Sequence, residues 1–165
     1  MLVLLIFVSD ERVDPNRTNI DGETTLIQAA LCGQAAVVNI LLAYACVDSN
    51  HTTHMGTTTL IWAALGGHIN IVSTLLADQR VDPNHADKNG YTALVFAAAY
   101  GHSNVVNKFF TSTCVNFSHA DQVKKAIIEA SMHLHENILR ILLRYSDQRP
   151  NPYELAAHSP EANDL

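Results

Sequence analysis

The sequence predicts an all-α solenoid of stacked helix-turn-helix units joined by short hairpin-like turns, and three observations predict it. A turn tetrapeptide recurs: "VDPN" begins at Val13 and again at Val81, and "VDSN" begins midway at Val47, a spacing of 34 residues. Glycines fall on the same period, at Gly22, Gly56 and Gly90 and again at Gly33, Gly67 and Gly101. Between and after them the apolar residues keep helical spacing: Leu26, Leu60 and Leu94, then the pairs Ala29-Ala30, Ala63-Ala64 and Ala97-Ala98, then Leu41-Leu42, Leu75-Leu76 and Phe109-Phe110. A turn that returns on a fixed period requires the structure between turns to return with it.

Each unit reads as two short helices. Thr24, Thr58 and Thr92 stand where a hydroxyl can accept an orphan backbone N–H at a helix start. Leu26, Ala29 and Ala30 then share one helical face, and the next glycine can take the left-handed conformation that ends a helix, so Thr25 to Cys32 is expected to be helical. Val37, Val38, Leu41 and Leu42 set up a second helix that ends before the turn. In that turn Asp bonds its own backbone, Pro fixes φ and Asn tolerates positive φ. Helices this short are marginal alone in water, so they must stack, each unit covering its neighbour's apolar side.

On this period residues 1–18 are the second half of an incomplete unit, because "LLIFVSDERVDPN" lies over "VSTLLADQRVDPN". Residues 19–52, 53–86 and 87–120 are full units. Residues 121–151 form a degenerate C-terminal capping unit, with Lys124, Lys125, Glu129, Glu136, Arg140 and Arg144 on its exposed side and Leu134 in place of the second glycine. Residues 152–165 are expected to be a short helix and tail. The apolar opening "MLVLLIFV" lacks the basic leader and cleavage site of a signal peptide. It leaves an uncovered apolar helix suited to self-association or to the cut edge of a longer chain.

The columns resemble the ankyrin repeat family. Its consensus, D-x-x-G-x-T-P-L-H-x-A-A-x-x-G-H-x-x-V-V-x-x-L-L, is met closely by "DKNGYTALVFAAAYGHSNVVNKFF" (87–110) and "THMGTTTLIWAALGGHINIVSTLL" (53–76), and more loosely by residues 19–42. The likeness spans residues 4–146. It departs at T-P-L-H, which becomes "TTLI" twice and "TALV" once, so apolar contact replaces the polar network usually built on that histidine.

Composition excludes several function classes. With 48% hydrophobic and 16% charged residues among 165, the chain can build a core. Its formal charge of −6, with ten scattered Lys and Arg, argues against nucleic acid. No apolar run is long enough to span a membrane. Cys32, Cys46 and Cys114 lack metal or redox spacing and read as small buried residues of a reducing compartment, cytoplasmic or nuclear. The sequons at Asn16, Asn50 and Asn116 should therefore stay unmodified by glycans.

The histidines His51, His85 and His119 share a column, but stacked units lie roughly 8–10 Å apart and cannot converge on one metal ion. His68, His102 and His135 read as structural hydrogen-bonders. No phosphate loop, nucleophile elbow or carboxylate pair is present, so neither catalysis nor a cofactor is expected. Trp62 and Phe96 are expected in the core between units.

Recognition of another protein remains. The positions that vary between units fall before the first glycine and late in the first helix. They are Ile20, Asp21, Glu23, Leu31 and Cys32; His54, Met55, Thr57 and Leu65; Lys88, Asn89, Tyr91, Ala99 and Tyr100; and Gln122 and Lys125. The resemblance implies that they line a concave, partner-facing side, with Met55, Tyr91 and Tyr100 as anchors. It also implies a second reading, the domain as a substrate of asparaginyl hydroxylation. Asn50 and Asn84 follow Leu42 and Leu76 by eight residues, the spacing of such targets in the family.

Overall fold

The computed structural model describes residues 14–112, 115 and 120–147. The expectations for the apolar N-terminal helix and its self-association, for Cys114, Asn116 and His119, and for the terminal segment 152–165 lie outside the described residues.

Among the described residues eight helices follow in pairs: α1 (Thr25–Leu31) with α2 (Ala35–Leu42), α3 (Thr59–Leu65) with α4 (Ile69–Ala77), α5 (Ala93–Ala99) with α6 (Ser103–Thr111), and α7 (Ala120–Met132) with α8 (Glu136–Asp147). Among the described residues there are no strands, only isolated bridges at Thr18–Thr24 and Ala86–Thr92. The odd helices pack in sequence as an inner row and the even helices as an outer row, with each pair also in contact. The core runs between the rows. The alanines at positions 30, 63, 64, 97 and 98 are fully buried and let the inner helices approach closely, while Val38, Val72, Val106 and Phe109 fill the outer side.

The caps follow the threonines in two units of three. Thr24 Oγ1 accepts from Ile27 N at 3.3 Å and Thr58 Oγ1 from Ile61 N at 3.4 Å. Thr92 holds the same extended backbone without a side-chain cap bond, and its buried hydroxyl has no partner.

Between units, a side-chain oxygen organises each hairpin. Asn19 Oδ1 accepts from Asp21 N and Glu23 N, both at 2.9 Å, and Asp87 Oδ1 from Asn89 N at 3.0 Å and Tyr91 N at 2.8 Å. Thr53 Oγ1 does the same for Met55 N and Thr57 N. Successive hairpins join edge to edge, His54 N donating to Asp21 O at 3.2 Å and Lys88 N to Met55 O at 3.1 Å.

The Gly-His sequences are clasps. His102 Nε2 lies 2.8 Å from Leu65 O, and a Cβ on Gly67, whose φ is +67°, would come within 2.5 Å of the same imidazole. Only glycine satisfies both the left-handed backbone and the ring that covers it. His68 and His135 repeat the arrangement on Leu31 O and Ala99 O, as expected of structural hydrogen-bonders.

The tetrapeptide turns form a ladder. Asn16 Nδ2 donates to Cys46 O at 2.8 Å while its Oδ1 accepts from Asp48 N at 2.7 Å. One unit on, Asn50 Nδ2 donates to Arg80 O at 2.5 Å and its Oδ1 accepts from Asp82 N at 2.8 Å.

The fourth unit departs from the others. Helix α7 is 13 residues long and begins where a hairpin would otherwise stand. His51 and His85 each reach the carbonyl of the preceding hairpin glycine, Gly22 O and Gly56 O; in the fourth unit Lys125 Nζ reaches Gly90 O at 2.7 Å. Leu134 takes the glycine's place at a φ of 58°, a conformation that strains any side chain.

The cysteine expectation is corrected: Cys32 and Cys46 are free and exposed. Cys32 caps the end of α1, and in the turn after α2 the buried apolar residue is Val47, while Cys46 beside it is exposed.

Candidate protein-binding groove

The inner helices expose the side that does not face the outer row, and the hairpin tips extend it. Successive residues of a helix are rotated by about 100°, so on α5 Phe96 points away from the side that Val95 buries. Ile61 and Val95 are the core residues, each 1% exposed, whereas Trp62 and Phe96 are only half-buried. The expectation of a core position therefore holds in part: Phe96 packs against the core and also lines the groove, and Trp62 is half-buried with its indole nitrogen covered.

Phe96 meets Tyr91 edge to face, with ring centroids 5.9 Å apart. Together with Tyr100 from the end of α5, Glu129 on α7 and His133 just past its last residue, they line a pocket of about 380 Å³ to which Val95 and Ala99 also contribute. Tyr91 Oη donates to Glu129 Oε1 at 3.1 Å, and His133 Nε2 lies 3.8 Å from Glu129 Oε2. The Tyr91 phenol is held above the ordinary phenol range, first by that hydrogen bond and then by the charge of the same carboxylate. Lys125 Nζ sits 5.5 Å from the centre of the Tyr91 ring.

Tyr91 and Tyr100 are thus brought to one pocket. Asp21, His54, Met55, Lys88 and Asn89 are exposed and form a row of hairpin tips. Glu23 is half-buried and its Oε2 accepts from Asn19 Nδ2 and Gln28 Nε2, so part of its capacity is used within its own unit. Leu65 is half-buried and Cys32 exposed, each at the end of an inner helix. Thr57 faces inward instead: it is buried, and its Oγ1 lies 2.6 Å from Thr53 Oγ1. Asn50 is exposed and Asn84 half-buried, both in the tetrapeptide turns and apart from the pocket.

Sequence reasoning missed Phe96, Glu129 and His133 as pocket residues. Glu129 and His133 occupy the fourth-unit positions of Phe96 and Tyr100, offset by 33 residues instead of 34. That register, with the four-residue spacing on one helix face, was the available signal.

Among the described residues no group of three His, Cys, Asp or Glu side chains converges as a metal site, and no helix is long and apolar enough to cross a membrane. What the fold presents is a helical repeat solenoid with a lateral groove and a row of tips. The family model for ankyrin repeats, in three copies, matches residues 1–87 and 76–153, and the chain belongs to the ankyrin repeat family. No curated protein matches it. Ankyrin repeats are generally protein–protein interaction modules.

Proposed function

We propose that this chain is a non-enzymatic, intracellular module that binds a partner protein through the groove and the hairpin tips. The observation that carries the reading is the clustering of Tyr91, Phe96 and Tyr100 around one open pocket, with Tyr100 57% exposed and Met55 59% exposed on the adjoining tip. Large aromatic and thioether side chains give contact area at little conformational cost, and residues of this kind dominate binding energy in protein interfaces.

The test is affinity capture with the wild-type chain and with the Tyr91→Ala/Tyr100→Ala double variant. Circular dichroism first establishes that the variant is folded. Loss of the captured partner is the expected result, and a partner retained at full yield by the folded variant refutes the assignment of this face.

A second reading, hydroxylation of turn asparagines, is favoured by the exposure of Asn50 at the eight-residue spacing from Leu42. Its side-chain amide bridges Arg80 O and Asp82 N, so the turn must open for an enzyme to reach it. Intact mass of the cellular protein showing no added oxygen eliminates this reading.

A further inference from the structure

We infer that the pocket between α5 and α7 is built to hold the guanidinium of an arginine side chain presented by the partner. The inference rests on the reading of this face as a protein-binding groove and specifies its central contact. Three aromatic rings and one carboxylate surround the space: Tyr91, Phe96 and Tyr100 supply π faces, and Glu129, whose side chain is 18% exposed, supplies the negative charge. A cation over such rings is attracted by their quadrupoles, and more strongly where water is thinned out. The chain already shows this attraction, since Lys125 Nζ stands over the Tyr91 ring while bonded to Gly90 O.

Glu129 has acceptor capacity to spare. Oε1 accepts one hydrogen bond from Tyr91 Oη, and each carboxylate oxygen has two lone pairs. His133 approaches Oε2 only to 3.8 Å, beyond hydrogen-bond reach. A planar guanidinium can lie flat on a ring and direct two parallel donors at the carboxylate, whereas an ammonium offers a point charge without that fork. The volume of about 380 Å³ falls in the range of small-ligand sites. Charge complements the choice, because the chain carries a formal net charge of −6.

The experiment titrates the whole chain with acetyl-Gly-Gly-Arg-Gly-Gly-amide while following the ring resonances of Tyr91, Phe96 and Tyr100 by NMR. Matched peptides carry citrulline, which keeps the shape and loses the charge, or lysine. The arginine peptide is expected to shift the three rings. The citrulline and lysine peptides are expected to bind roughly ten-fold more weakly, about the contribution of one charge-assisted hydrogen bond. Glu129→Gln keeps an acceptor for Tyr91 Oη and is expected to lose a similar factor with its melting temperature unchanged. Arg140→Ala, on the outer helix α8 and away from the pocket, should bind the peptide as wild type does.

Equal binding of arginine and citrulline peptides, or an unchanged affinity in Glu129→Gln, overturns the inference. Equal binding of the lysine peptide overturns the assignment to a guanidinium. A captured partner that still requires Tyr91 and Tyr100 but tolerates Glu129→Gln sinks this inference and leaves the groove reading standing.

Discussion

Arg80 shows how one side chain ties two units together. Its Nη2 donates to Leu42 O at 2.6 Å and its Nη1 to Tyr44 O at 3.2 Å, satisfying carbonyls at the end of α2 in the preceding unit. Asp78 aims it, accepting from Nε at 3.0 Å and Nη2 at 2.7 Å. That hydrogen bond holds the Asp78 carboxyl below the ordinary carboxylate range, burial opposing it. The folded value being the lower one, the pair stabilises the fold fully above the ordinary range, and the contribution is lost as pH falls through the depressed value. Arg80→Ala is expected to cost about 1 kcal/mol in a urea melt at neutral pH, limited by the side chain's partial exposure. In Asp78→Asn the acid limb of a stability-against-pH curve should be shallower. An unaltered acid limb in that variant contradicts this account.

At the scale of the element, the inner helices share a sequence pattern but not their ends. Thr58 caps α3, whereas Thr92 at the start of α5 leaves a buried hydroxyl unpaired. Thr58→Val is therefore expected to destabilise by about 1 kcal/mol, the scale of a lost cap. Thr92→Val should be neutral or stabilising, since a methyl needs no partner; thermal melts of the two variants decide it. The junction of α7 and α8 carries a different defect, Leu134 at a φ of 58° and 83% exposed. Relieving it with Leu134→Gly should raise stability by about 1 kcal/mol, because little packing is lost and the left-handed backbone no longer strains a side chain. A drop in melting temperature means that the leucine packs more than its exposure indicates.

For the molecule as a whole, stability is close to a sum of unit and nearest-neighbour terms, so the same column position is worth what its neighbour covers. Ile61 is 1% exposed between two flanking inner helices, while Ile128, at the equivalent position of α7, is 56% exposed. Ile61→Ala is expected to cost ~2–4 kcal/mol and Ile128→Ala under ~1 kcal/mol in urea denaturation. Comparable losses would mean that Ile128 is covered in solution.

The period, the paired helices, the threonine helix starts and the structural role of His68, His102 and His135 were legible in the sequence. Each depends on residues close together in the chain or repeated in every unit, as Gly67 and His102 repeat one unit apart the relation of Gly33 and His68. The candidate pocket was legible only in Tyr91 and Tyr100. Phe96 turned out to face the groove because Val95 beside it takes the core, and Thr57 turned inward because its hydroxyl closes on Thr53. Glu129 was legible as an exposed residue of the capping unit but, like His133, not as a wall of the groove, because the first turns of α7 replace the hairpin that stands there in the other units. Local chemistry and repetition thus determined the solenoid from the sequence alone. Only the tertiary structure decided which side chains meet around the pocket, because its walls come from two consecutive inner helices whose relative rotation is set by packing between units.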